Sequence, residues 1–525
     1  MFKKKFILLF QSVESNVKNN FSHYFCSMVI LIVIITTFVL QNKIVGFEPG
    51  YDDLQPKHHG WVSSQGLAII TTATLENHFV GYAVAIKDDQ NKINYDYFDR
   101  YPVFFSATFH LVLSLFSKLS DKVYVAKQGM NLIFLCTLIM AFLIVDKLTK
   151  NKPLSLTVVL LTFSNPFLLF YKDMVHFDQP ALFGCLLLIY AIVVYKIDGK
   201  KNLLYISTFI AIGLGRGYAS YPILILWVGF ETIMILKSKD FDWNVKLKTL
   251  IKHPSFLLLM IGIIWGASLL SYNIIIEANK REIPILQTSI LLSAQKRLSL
   301  NPEFNLENEP IINWQDFSIS QVNRIIQWSF PITKVNFEFF GNSILLVLLI
   351  IIMGIFIWKQ ATEKRIIYLI IILFGFAWLI PLRNLAAFHD YTAMYYIGIP
   401  LISFLSLLSF LNPSQKASYF LLIVGLLIYI SAIVQVKHLH ESRAGNANQY
   451  TYDFMQIDQE IIGTGNNIYL KNDIPHAPYV ALFYLPGQYL SPIELADYVI
   501  SPNRDYGPDN LTPRNHIMFL FKTIK

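Results

Sequence analysis

Apolar runs about twenty residues long recur from residue 26 to residue 436, and no other feature restricts the possible folds of this chain as strongly. A helix needs about that length to cross roughly 30 Å of hydrocarbon. The composition agrees, since 54% of the 525 residues are hydrophobic, 15% are charged and the mean hydropathy is +0.46. Soluble globular chains carry more charge than this. The sequence therefore predicts a mainly α, polytopic membrane protein.

About 11 spans are predicted when every apolar run but one is counted. The candidates are 26–46, 124–145, 154–170, 179–195, 202–215, 218–236, 255–275, 343–358, 366–382, 392–411 and 417–436. The exception is 103–118, whose polar members fall on one stripe of a helix: Ser106, His110, Ser114 and Ser117. That pattern indicates a helix lying in the membrane interface.

The distribution of basic residues supports this count. With 103–118 outside the bilayer, the lysine- and arginine-rich short loops all fall on one side, as the positive-inside rule requires. Orientation in the membrane therefore accounts for most of the formal net charge of +8, and no nucleic-acid partner is predicted. The chain is expected in the cell (inner) membrane, with its large polar segments on the extracytoplasmic face.

Two domains are predicted. Residues 1–436 form a transmembrane domain with outer loops at 47–123 and 276–342. The first outer loop is expected to hold the interfacial helix and a second surface helix within 61–80, followed by an exposed turn near 87–97. Residues 437–525 are polar and are expected to form a small external mixed α/β domain.

The acidic pair Asp52 and Asp53 stands a few residues beyond the first span, at the height of a lipid head group. A partly desolvated carboxylate there can act as a general base. His58 and His59 follow closely and are candidate substrate-binding residues. A solvated loop carboxylate is the alternative, and the choice between the two aspartates stays open.

The segment between the third and fourth spans is short, yet it holds Lys172, Asp173, His176 and Asp178. Asp178 comes just before a span, and Pro180 falls in the first turn, where proline is tolerated and the helix dipole favours a carboxylate. Asp178 is therefore a second candidate catalytic acid. A simple helix N-cap is the alternative, and both roles are compatible.

Arg383 and His389 lie between two late spans on the predicted outer side. An arginine there departs from the positive-inside pattern, and its guanidinium can bind a phosphate diester in bidentate geometry. Arg383 reaching to lipid head groups is the alternative. Arg100, in Asp99-Arg100-Tyr101-Pro102, is a further candidate, for which a local ion pair is an equal explanation.

No cofactor is predicted. The sequence lacks a glycine-rich phosphate loop, a dinucleotide fingerprint and a His-Glu-x-x-His motif. Cys26, Cys136 and Cys185 lie in or beside apolar runs and imply neither disulfides nor zinc. Adjacent histidines such as His58 and His59 point in different directions on a regular backbone, so no metal site is predicted.

The order of these motifs resembles the GT-C superfamily of integral-membrane glycosyltransferases. The branch concerned comprises protein O-mannosyltransferases, lipid A aminoarabinose transferases and Rgt-like transferases of lipopolysaccharide. The likeness is carried by the acidic pair, by Arg100-Tyr101-Pro102, by Ser164-Asn165-Pro166-Phe167, by Asp178, and by Arg383 with His389 through Pro400. It covers residues 25–200 well and 380–411 moderately.

The resemblance implies an inverting transfer of a sugar from a polyprenyl-phosphate donor to a hydroxyl of a glycan, lipid or protein acceptor. Asp52 or Asp53 would be the general base, and Asp178 matches the second acidic position of the family. Arg383, His389, Lys172 and Arg100 would stabilise the leaving phosphate, with no nucleotide or obligatory metal.

The sequence leaves two alternatives to a glycosyltransferase open. A transporter or flippase of lipid-linked sugars could use the same phosphate-binding residues without a base, although the sequence shows no internal two-fold repeat. A non-catalytic membrane subunit would also suit long outer loops.

Overall fold

The computed structural model describes most of the apolar part of the chain and several strands. The described residues are 22–40, 66–70, 72–73, 80–90, 92–98, 122–214, 219–237, 242–297, 312–330, 339–383, 386, 389–443, 465–470, 488–501 and 519–522. They form a helical bundle with one six-stranded sheet. The interfacial helix predicted at 103–118 lies outside them.

The helices follow the apolar runs. In chain order they are α1 (Ser22–Val39), α2 (Lys122–Thr149), α3 (Lys152–Phe163), α4 (Pro166–Tyr171), α5 (Asp178–Asp198), α6 (Asn202–Leu214), α7 (Tyr221–Lys237), α8 (Trp243–Lys252), α9 (Pro254–Arg281), α10 (Ser289–Arg297), α11 (Trp314–Ser329), α12 (Phe339–Trp358), α13 (Thr362–Leu379), α14 (Gly398–Leu411) and α15 (Gln415–Arg443). Asp390–Ile397, directly before α14, is a 3-10 helix.

The described residues of each of the eleven candidate spans are mainly helical, which confirms a mainly α, multi-pass membrane protein. Six helical stretches of the described chain are long and apolar enough to cross a bilayer by themselves. Several of the others are shorter, and the candidate at 154–170 is divided into α3 and α4. The number of spans therefore stays a prediction.

Apolar side chains cover the outside of the bundle as well as its core. On α12, Ile344, Val347 and Ile351 are each about half exposed, whereas Trp227 and Phe374 are fully buried. A continuous exposed apolar surface of this kind suits acyl chains and would be a liability in water. The bundle is thus built to face lipid.

The bundle has a basic end, defined here by the ion pair of Lys147 with Asp198. The Nζ atom of Lys147 lies 2.7 Å from the Oδ2 atom of Asp198, and Lys364 Nζ donates to the Leu148 carbonyl over 2.8 Å. Because Asp198 is the last residue of α5, the first residue, Asp178, lies at the opposite end. Lys147 and Lys364, two of the basic residues that predicted the orientation, therefore lie at the same end of the bundle.

The break between α3 and α4 connects this part of the bundle to α11. The Asn165 side chain caps α4 by accepting from the Phe167 and Leu168 amides, and Pro166 starts the helix. The side-chain nitrogen of Asn165, Nδ2, donates to the Gln327 carbonyl over 2.8 Å. The Asn-Pro motif therefore both starts α4 and binds the end of α11.

Two glycines allow α13 to pack against the segment that leads into α14. A Cβ atom at Gly375 would lie 2.3 Å from the Tyr395 carbonyl oxygen, and one at Gly398 would lie 1.8 Å from the Ile371 carbonyl oxygen. These separations are shorter than any non-bonded contact, so only glycine fits. The close packing fixes the position of Tyr395.

The strands of the first outer loop and of the tail share one sheet. They are β1 (Tyr82–Lys87), β2 (Ile93–Phe98), β3 (Asn467–Leu470), β4 (Tyr489–Leu490), β5 (Tyr498–Ser501) and β6 (Phe519–Lys522), in the order β2-β1-β4-β3-β5-β6. The pairs β1–β4, β3–β4 and β3–β5 are parallel, and the pairs β1–β2 and β5–β6 are antiparallel.

This sheet differs from what the sequence indicated. The exposed turn expected near 87–97 is the centre of a hairpin, and pairing of Ile86 with Leu490 joins that hairpin to the tail. Within the described chain the strands of the tail therefore do not form a separate sheet. A domain boundary at 436 stays a prediction.

The first outer loop also differs in its helix. Of the surface helix expected within 61–80, the described residues 66–70 are helical, but they are buried. A Cβ atom at Gly66 would lie 2.6 Å from the Val175 carbonyl oxygen, so this turn packs directly on the segment between α4 and α5. Its apolar residues make it part of the core.

Replacing Gly398 with alanine tests the close packing of α13. The new Cβ atom has no space beside the Ile371 carbonyl, so we expect the free energy of unfolding to fall by about 1–3 kcal/mol. The measurement is the melting temperature of the purified protein in detergent. The control is Gly354→Ala on α12, where a Cβ atom meets nothing within 4 Å and stability is retained. Equal melting temperatures for the two variants would contradict the packing.

Candidate active site

The segment from Lys172 to Asp178 connects α4 to α5 and is buried throughout. The relative exposure is 1% for Lys172, 1% for Asp173, 5% for His176 and 2% for Asp178. Burying charged groups is costly unless they are paired, and such groups are concentrated at functional sites. This segment is therefore the core of the candidate site.

Asp178 holds two side chains at once. Its Oδ2 atom is hydrogen-bonded to His176 Nδ1, and its Oδ1 atom accepts from the Tyr395 hydroxyl over 2.8 Å. Asp178 is the first residue of α5, where the helix dipole favours a negative charge, while Phe177 occupies the N-cap position. A capping role alone therefore does not describe Asp178. Its carboxylate orients the His176 ring and anchors the segment before α14.

Tyr391 connects this segment to the second predicted cluster. Its ring centroid lies 5.5 Å from that of His176, 5.3 Å from that of His389 and 5.9 Å from that of Tyr171. Tyr171 in turn stacks on Trp328 of α11, with ring centroids 6.1 Å apart. The structure therefore brings His389 and His176, the hydrogen-bond partner of Asp178, to the same tyrosine ring.

Arg383 lies on α11. Its guanidinium carbon is 4.8 Å from the centroid of the Trp314 ring, which is a cation–π arrangement. Nearby, Arg324 Nη1 donates to the Ala386 carbonyl and to the His389 carbonyl, the latter over 3.3 Å. The chain around Arg383 and His389 is thus fixed against α11.

Lys172 points back to α2. Its Nζ atom donates to Asn131 Oδ1, and the buried Lys127 lies one turn earlier on the same helix. Burial lowers the pKa of Lys172 to about 8, with Asp173 opposing that change and Lys127 adding to it. Lys172 therefore gains or loses its charge close to neutral pH.

Several predicted site residues lie outside the described residues: Asp52, Asp53, His58, His59 and Arg100. The described part of their loop nearest in sequence to the histidines is the turn at 66–70, which packs on Val175. The first outer loop thus reaches the segment that holds Asp178. Among the described residues no three His, Cys, Asp or Glu side chains are grouped to hold a metal, and the expectation of a metal-free site stays a prediction.

The sequence missed several residues of this site: Lys127, Asn131, Arg324, Tyr391 and Tyr395. Lys127 carried a usable signal, because it lies at the start of α2, away from the basic end at Lys147, and so departs from the distribution of the other lysines as Arg383 does. Nothing in the run Tyr391 to Tyr396 distinguishes the tyrosine that bonds to Asp178.

No protein-family model matches this chain, and no curated protein matches it in sequence. Solved structures do match. ArnT from Cupriavidus metallidurans in the apo state has a TM-score of 0.54 at 11% identity, and ArnT from the same organism bound to undecaprenyl phosphate has 0.53 at 10%. Each alignment covers 89% of this chain and 85% of ArnT.

A second protein shows the same likeness. The oligosaccharyltransferase of Archaeoglobus fulgidus, tethered to an acceptor peptide, matches with a TM-score of 0.51 at 9% identity, over 92% of this chain and 69% of that protein. Both are GT-C glycosyltransferases. At such low identity the likeness concerns the fold, and this chain has the GT-C fold.

Removing the hydroxyl of Tyr395 tests the anchoring of Asp178. Tyr395→Phe leaves one buried carboxylate oxygen without its donor, so we expect a loss of about 1–3 kcal/mol in the free energy of unfolding. The comparison is Tyr205→Phe on α6, where the tyrosine is 39% exposed and the same change should be nearly neutral. Thermal melting measures both. A Tyr395→Phe protein that melts with the unsubstituted chain would show that the bond contributes little.

Proposed function

We propose that this protein is a membrane glycosyltransferase that moves a sugar from a polyprenyl-phosphate-linked donor to an acceptor hydroxyl, with inversion at the anomeric carbon. The observation that carries the proposal is the fold shared with ArnT, which has been solved bound to undecaprenyl phosphate. A buried set of ionisable groups at one end of the same fold supports it.

The general base is Asp52 or Asp53. Either carboxylate would take the proton from the acceptor hydroxyl as that oxygen attacks the anomeric carbon and the bond to the lipid phosphate breaks. Packing of the first outer loop on Val175 supports this assignment, because it leads the loop to the segment of Asp178. His58 and His59 would bind substrate beside the base.

Asp178 has a different task in this proposal. Both of its oxygens are engaged, by His176 and by Tyr395, so its role is to position groups around the donor. The buried His176 ring that it orients contacts the Tyr391 ring, and the Tyr391 ring also contacts His389.

The leaving phosphate is stabilised by cationic groups. Lys172, Arg383 and His389 are proposed to bind it, with Arg100 from the first outer loop. Lys172 is well suited, because a buried ammonium group acts on a phosphate with little screening by water. Arg383 is held over Trp314, which limits the loss of side-chain freedom on binding.

The reaction is placed on the extracytoplasmic face of the inner membrane. Support comes from the basic end of the bundle, where Lys147 and Lys364 make their contacts, because basic residues favour the cytoplasmic side. Asp178 lies at the opposite end of α5. The acceptor would then be a glycan, lipid or protein outside the cytoplasm.

Single replacements of Asp52 and Asp53 by Asn test the proposal. We expect one of them to lower sugar transfer by about a hundredfold, since the base acts in the transition state. The assay is transfer of a radiolabelled sugar from a polyprenyl-phosphate donor in membranes. Asp89→Asn, in an exposed turn of the same loop, is the matched control and should keep full activity.

Folding of each variant is checked by its melting temperature. If both Asn variants fold and transfer sugar at the unsubstituted rate, the proposed base is wrong. Movement of the sugar-lipid across vesicles without any acceptor would instead favour a transporter or flippase.

A further inference from the structure

Helix α8, between α7 and α9, differs from the helices around it. None of its residues is buried, and Trp243, Leu247 and Ile251 are 64%, 46% and 52% exposed. It is nevertheless a regular helix, with the Asp242 side chain accepting from the Trp243 amide over 2.8 Å at its start. Eight of its ten residues are exposed and the other two are half-buried, so its surface needs a partner.

The sequence of α8 divides into two faces, with Val245 as the one apolar residue on the lysine side. Apolar residues at positions i, i+4, i+7 and i+8 share one face: Trp243, Leu247, Leu250 and Ile251. The lysines lie at the flanks of that face and behind it: Lys246, Lys248 and Lys252. Trp243–Lys252 contains no acidic residue. An apolar strip bordered by lysines is the pattern of a helix at a membrane surface.

The helices before and after α8 both expose apolar side chains close to it in the chain. At the end of α7, Ile233 and Leu236 are 48% and 43% exposed, and at the start of α9, Leu257 and Met260 are 44% and 42% exposed. Both helices belong to the apolar bundle. Apolar side chains are exposed both before and after α8, and acyl chains suit such a surface, so the bilayer is the occupant that these neighbouring surfaces favour.

α8 is held firmly at the basic end of the bundle. Lys246 Nζ donates to the Leu236 carbonyl over 3.0 Å, which fixes the helix to α7. At its other end, His253 caps α9 through Nδ1, while its Nε2 atom lies 3.7 Å from Glu231. Glu231 is also paired with Lys196. These contacts fix α8 to the basic end of the bundle.

We propose that α8 is a surface helix bound to the cytoplasmic leaflet, with Trp243, Leu247, Leu250 and Ile251 in the acyl boundary and Lys248 and Lys252 on anionic head groups. This assignment is independent of the chemistry at the other end of the bundle. Charge complementarity decides the lipid class, because the cytoplasmic leaflet is negatively charged and the helix is purely basic.

The depth of α8 is tested by cysteine labelling. Ile251→Cys on the apolar face is compared with Thr249→Cys on the polar face, in inside-out vesicles of phosphatidylcholine and phosphatidylglycerol treated with a membrane-impermeant maleimide. We expect Thr249→Cys to react about tenfold faster, since the apolar face lies roughly 5–10 Å into the interface. The unsubstituted chain gives the background from Cys26, Cys136 and Cys185.

Denatured protein must show equal reactivity at both positions, which separates depth from intrinsic chemistry. Equal rates in vesicles would overturn the proposal, and so would labelling of Thr249→Cys only in right-side-out vesicles, because α8 would then lie on the outer face.

The lipid class is tested by neutralising the lysines. Lys248→Gln with Lys252→Gln should lower the amount of phosphatidylglycerol that purifies with the full chain, by roughly fivefold per lysine lost. The matched control is Lys200→Gln with Lys201→Gln, which removes the same charge between α5 and α6. Equal retention of phosphatidylglycerol by the two double variants would contradict the assignment of anionic lipid to α8.

Discussion

The end of the bundle opposite the basic end depends on the hydrogen bonds that two side chains make to one buried carboxylate. Asp178 begins α5, and its oxygens are bonded to His176, two residues earlier in the chain, and to Tyr395, which lies far from both in the sequence. Removing an ionised carboxylate from water is costly without such partners. The glycines that let α13 approach Tyr395 are therefore part of the same arrangement.

Other elements assemble around this anchor at the same end. Asn165 and Arg324 fix α11 to the start of α4 and to the chain at His389. The sheet packs on the end of α9, where Lys280 Nζ lies 4.6 Å from the centroid of the Tyr95 ring. Since His253 starts α9 at the basic end, the sheet and Asp178 are on the same side of the bundle. Polar and irregular structure is thus concentrated opposite the basic end.

Much of the helical architecture could be predicted, because the length and position of an apolar run are local properties of the sequence. Lys172 and Asp178 could also be selected as candidates, since charges beside a span are costly wherever the chain goes next. Pairing across long distances had no such signal. The bond from Tyr395 to Asp178 and the joining of Ile86 to Leu490 each connect residues far apart in the chain. The burial of residues 66–70 was missed for the same reason.

The most direct measurement is the affinity of the purified protein in nanodiscs for undecaprenyl phosphate, at pH 7 and at pH 9. Burial lowers the pKa of Lys172 to about 8, so the group is mostly charged at the lower pH and mostly neutral at the higher one. If it binds the lipid phosphate, affinity falls by up to about tenfold between them, and Lys172→Met binds weakly at both. An unchanged affinity across this range, or Lys172→Met binding as tightly as the unsubstituted chain, would contradict the account.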